Sequence, residues 1–80
     1  MFILSQDKKK FADYKKVYVS PAFSRKNNIK KAFLLGVPVG LFGGFVEHTL
    51  GSYESEEAAI MELENICADM KNGETAYTVK

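Results

Sequence analysis

A single cysteine, a single histidine and only two prolines among 80 residues leave this chain few ways to staple or arm itself. Cys67 alone forms no internal disulfide. One Cys and one His fall short of the roughly four ligands a structural zinc ion takes. The opening MFILSQDKKK lacks the basic-then-apolar order of a secretory signal. The one long apolar run is shorter than the about 20 residues a membrane helix needs, and Gly36, Pro38, Gly40, Gly43 and Gly44 interrupt it. There is no internal repeat and no low-complexity tract. These absences predict a soluble, cytoplasmic, single-domain protein over residues 1–80, with no metal and no cofactor.

Charge is missing from Ala32–Val46, AFLLGVPVGLFGGFV, fifteen residues in a chain that is 26% charged overall. Such a run must be buried or paired, because contiguous apolar surface rarely sits free in water. It also separates the charges by sign. Residues 1–31 carry nine Lys/Arg against Asp7 and Asp13, net +7, and residues 47–80 carry Lys71 and Lys80 against eight acids, net −6. A domain this small supplies roughly 3–5 kcal/mol of net core stability. With no covalent staple, burial between subunits is the remaining support, and a homo-oligomer is expected.

Periodicity predicts an α+β layer, β-β-β-β-α-β, in which a four-stranded antiparallel sheet carries one amphipathic helix across a face. Phe2–Leu4 opens it, bounded by Ser5-Gln6-Asp7. Phe11–Val19 alternates imperfectly and needs a bulge or bend near Asp13; Pro21 should end it. Ser24–Asn28 is a basic turn, Ile29–Leu35 a central strand, and the Gly/Pro segment 36–44 a turn into a fourth strand, Phe45–Leu50. There Phe45, Glu47 and Thr49 should face one way, and Val46, His48 and Leu50 the other. The helix should span 56–71. Ser55 caps it, Glu56 and Glu57 sit at its positive end, and Gly73 offers the left-handed stop. Ala59, Ile60, Leu63, Ile66, Cys67 and Met70 form its apolar stripe. Ala76–Val79 reads as a last short strand, on an edge or given to a neighbour.

Few groups suggest chemistry. The glycines run from strand to strand without the Lys or Ser/Thr of a phosphate loop, so a tight hairpin explains them. Its apolar tip, Leu41 and Phe42 with Phe45, is a candidate for insertion into a partner. Glu47 and His48 point to opposite faces of a strand and form no dyad. Cys67 on an apolar stripe behaves as a small hydrophobe, and turns or the helix cap account for the serines. Acids 54, 56, 57, 62 and 64 read as a solvated face. Lys15, Lys16, Arg25 and Lys26, interleaved with Tyr14 and Tyr18, form the alternative site, an anion-, nucleotide- or nucleic-acid-binding surface. The overall charge of +1 argues against strong polyanion binding.

Ser5–Lys9, SQDKK, and Leu50–Ile66, LGSYESEEAAIMELENI, carry a resemblance. The chain resembles a family of short, functionally uncharacterised proteins of Gram-positive bacteria and their phages. Its members open with a strand ending in SQD-K and later read LGxYxSEExA into a helix. The middle departs, with a glycine-rich apolar insert where such proteins have short, more polar hairpins. The resemblance implies this fold and a bacterial or phage context, and no site residues. The reading that follows is a non-enzymatic binding protein acting as a homo-oligomer, phage-encoded and directed at a host component. The alternative is a nucleotide or nucleic-acid binder, including a sponge for a signalling nucleotide.

Overall fold

A computed structural model describes residues 1–23, 30–40 and 46–80. Its elements are β1 (Phe2–Leu4), β2 (Phe11–Phe23), β3 (Lys30–Pro38), β4 (His48–Tyr53), α1 (Glu56–Lys71) and β5 (Ala76–Thr78). The architecture is α+β, but the sheet is one mixed sheet of five strands in the order β4-β3-β2-β1-β5. The expected four-stranded antiparallel sheet is corrected at its end, where β5 runs parallel to β1, Phe2 opposite Ala76 and Leu4 opposite Thr78. The helix makes this possible: it carries the chain back across the sheet, so β5 arrives in the direction of β1.

The two middle strands are longer than their composition predicts. Pro21 does not end β2; it lies opposite Ala32. β1 covers only Phe11–Asp13 of β2. Farther along, β2 has an open edge among the described residues, the place in a sheet that tolerates proline. The strand does contain a bulge: Tyr14 pairs with Pro38 and Lys16 with Val37, leaving Lys15 as the extra residue. The bulge reverses the alternation, so Tyr14 and Val17 both turn to the core. Gly36, read as the start of a turn, sits inside β3. A Cβ there would lie 2.7 Å from Tyr14 Cδ1 and 2.8 Å from Leu50 Cδ1. The strand continues through this glycine because the Tyr14 ring occupies the space a side chain would fill. β4 begins at His48, after the expected start, with Val46 and Glu47 exposed ahead of it.

α1 has the expected bounds. Ser55 Oγ accepts from Ala58 N at 3.1 Å, Glu56 and Glu57 occupy the first turn and Lys71 the last, and Gly73 adopts φ 85° beyond the end. Its buried face differs from the apolar stripe. Ala59, Glu62 and Ile66 are buried and Leu63 partly so, while Ile60, Met61, Cys67 and Met70 are exposed. The helix is therefore turned so that Glu62, read as solvated, points inward. Donors make that tolerable. Tyr77 Oη donates to Glu62 Oε1 at 2.9 Å, Asn65 Nδ2 to the same oxygen at 3.1 Å, and Lys80 N to Oε2 at 2.6 Å.

Ile3, Tyr14, Leu34, Leu50, Ile66, Tyr77 and Val79 form the core between sheet and helix. The turn after β1 reaches across to β4 at the far end of the sheet. Gln6 N donates to Leu50 O at 2.7 Å, and Gln6 Oε1 accepts from Ser52 N at 3.0 Å. One glutamine thus caps the free edge of β4, blunting a template for stray strand pairing. The turn that presents it is closed by Ser5 Oγ donating to Asp7 Oδ1 at 2.5 Å, Lys10 N to Ser5 Oγ at 3.1 Å and Lys9 N to Asp7 Oδ1 at 3.0 Å. These bonds, first that from Ser5, hold the Asp7 carboxyl below its ordinary range. The segments SQDKK and LGSYES, far apart along the chain, are thereby tied together in space through Gln6.

Candidate functional site: the outer face of the sheet

β3 alternates cleanly in burial. Ala32, Leu34 and Gly36 are buried on the helix side, and Phe33, Leu35 and Val37 stand half-buried on the other. A sheet with one solvated face ordinarily puts polar residues outward. Here the outward row is apolar. Its cross-strand neighbours extend the surface: Leu35 lies between Tyr18 and Thr49, Phe33 between Ser20 and Ser52, and Val37 beside Lys16. Farther along the same face Phe2 and Phe11 stack with centroids 5.5 Å apart, 46% and 61% exposed. Among the described residues nothing covers this face, since α1 packs on the opposite one.

The basic candidates divide around the β2 bulge. Lys16 and Tyr18 share the outer face, with Lys16 Nζ 5.0 Å from the Tyr18 ring centroid. Tyr18 Oη donates to Glu47 Oε1, and this carboxylate raises the Tyr18 pKa. Lys15 is exposed at the bulge itself. Tyr14 goes the other way. It is 6% exposed, its Oη lies 2.7 Å from His48 Nδ1, the rings meet edge to face, and burial raises its pKa. Tyr14 is thus absent from the surface that carries Lys16 and Tyr18. Leu41, Phe42, Phe45, Arg25 and Lys26 lie outside the described residues.

Glu47 reaches Tyr18 outside and His48 reaches Tyr14 inside, so the two neighbours work on opposite faces. Cys67 is exposed on α1. Among the described residues no three His, Cys, Asp or Glu side chains converge as metal ligands, and no helix is long and apolar enough to cross a membrane. A cleft of about 200 Å³ opens between Gln6, Asp7 and Thr49–Ser52. Gln6 Oε1 already accepts from Ser52 N, and Asp7 Oδ1 from Ser5 Oγ and Lys9 N.

Sequence reasoning missed two groups. Glu62 was betrayed by its spacing, three after Ala59 and four before Ile66, both buried. The outward apolar row of β3 was visible as the uninterrupted AFLL, a pattern that belongs to strands covered on both faces. No protein-family model, curated protein or solved structure matches this chain.

Proposed function

We propose that this protein is a non-enzymatic interaction module that works as a homo-oligomer, its subunits meeting through the outer face of the sheet. The observation that carries the reading is β3, apolar on both sides while its own helix covers one. Water contact along Phe33, Leu35 and Val37 costs about 25 cal/mol for each Å² left exposed. A partner removes that cost. The near-neutral total charge, built from a basic and an acidic half, suits a chain that meets copies of itself. A phage-encoded role against a host component rests on the resemblance alone and would use the same face.

The test is molecular mass in solution. Light scattering should give at least twice the 9.0 kDa of one chain, and Leu35→Ser with Val37→Ser should lower that mass while circular dichroism keeps the fold. A wild-type mass of one chain at every concentration contradicts the reading.

A second reading has its own observation: Phe2, Phe11, Tyr18 and Lys16 share the outer face, the pairing of aromatics and cations on which single-stranded nucleic acids stack. Binding of that kind weakens steeply between about 50 and 200 mM salt. A fluorescent oligonucleotide with unchanged anisotropy at low salt excludes it.

A further inference from the structure

We infer that the copy covering the outer face docks head to tail, laying the exposed flank of its α1 across β2 and β3 of its neighbour. This rests on the self-association proposed above and names the surface that answers the sheet. The second surface is on the helix. α1 leaves Ile60, Met61, Cys67 and Met70 exposed, at 38%, 65% and 56% for Ile60, Met61 and Met70. Ile60, Cys67 and Met70 fall on one flank at helical spacing, with Met61 apart from them, so the helix has one apolar side spent on its own sheet and one unspent. β3 has the complementary surplus. A strand apolar on both faces is usually sandwiched by helices, and among the described residues one chain provides only the first.

Charge selects the arrangement. Beside the apolar residues of the helix flank stand the exposed Glu56, Glu57 and Glu64 against one Lys71, an acidic excess; beside those of the sheet face stand the exposed Lys16 and Lys31 against Glu47, which Tyr18 holds, a basic excess. Two sheet faces would set one basic excess against another, and two helix flanks one acidic excess against another. Helix on sheet pairs them. The lengths agree as well: sixteen helical residues run about 24 Å, and nine strand residues about 30 Å. Because the two surfaces differ, each copy offers one of each, and the contact repeats until it closes on itself or extends.

Complementation decides the matter. The sheet variant is Phe33→Ser with Leu35→Ser; the helix variant is Ile60→Lys with Glu64→Lys. All four positions lie outside the core, and a melting curve checks each fold; if the sheet pair fails to fold, Lys16→Glu alone takes its place. Each variant alone should run at 9.0 kDa. Mixed in equal amounts they should form a one-to-one pair of twice that mass and nothing larger, since only one intact sheet face can meet one intact helix flank. A wild type that is already monomeric overturns the self-association reading and this inference with it. An oligomeric wild type whose helix variant assembles unchanged, or whose mixed variants stay apart, overturns the head-to-tail contact alone.

Discussion

Replacing Glu62 by alanine should weaken the fold far more than an acid on a helix surface would. Glu62 is 5% exposed, and its carboxylate holds together the helix, Tyr77 of β5 and the backbone of Lys80. Without it the Tyr77 hydroxyl loses its acceptor in a buried position, which costs about 1–3 kcal/mol, and the Lys80 anchor adds about 1 kcal/mol. Relief of the carboxylate's own desolvation offsets part of this. A net loss of about 2–3 kcal/mol should lower the melting temperature by about 8–24 °C. Glu62→Gln should fall between, because its amide keeps an acceptor for Tyr77 but turns a donor toward Lys80 N. Calorimetry reads the size and hydrogen exchange the place, with protection lost first at Tyr77–Lys80 while β2 and β3 keep theirs. A melting point within about 2 °C of wild type would refute the clasp.

Two further outcomes follow from the same core. Gly36→Ala forces a methyl against the Tyr14 ring and Leu50, and should cost about 1–3 kcal/mol by overpacking; unchanged urea unfolding would mean that the ring moves freely. Alkaline pH should destabilise the protein. Burial, then the Glu62 carboxylate, pushes Tyr53 up to about 12, and burial with the Glu62 hydrogen bond raises Tyr77 as well. Below the ordinary tyrosine value of 10.0 both folded and unfolded chains keep these protons, so the stability is whole. Above it the unfolded chain releases them first, and stability falls by up to about 1.4 kcal/mol per pH unit for each tyrosine. Urea titrations at about pH 9 and about pH 11 measure the slope, which Tyr77→Phe should reduce; a flat profile would contradict the burial.

The helix was legible because both of its ends are local: a serine whose hydroxyl caps the first turn and a glycine free to turn left-handed after the last. Its orientation was not. Hydrophobic spacing points Ile60, Cys67 and Met70 inward, but Tyr77 and Lys80, distant in sequence, supply the donors that let Glu62 take that side. The β2 bulge was legible as broken alternation, whereas its consequence, Tyr14 inside and Tyr18 outside, required the partner strand. The parallel pairing of β5 and the bridge by Gln6 are long-range bonds with no periodic trace. The mismatch that matters most for function was written plainly, in a strand apolar at successive residues.

A photo-crosslinker tests the central claim most directly. With p-benzoylphenylalanine at position 35, in the middle of the outward row, irradiation of the assembled protein and mass spectrometry of the products identify what covers that row. The account predicts crosslinks between chains, from position 35 to peptides containing Ile60–Met70 of α1. Products confined to single chains, at concentrations where the protein is fully assembled, would contradict it.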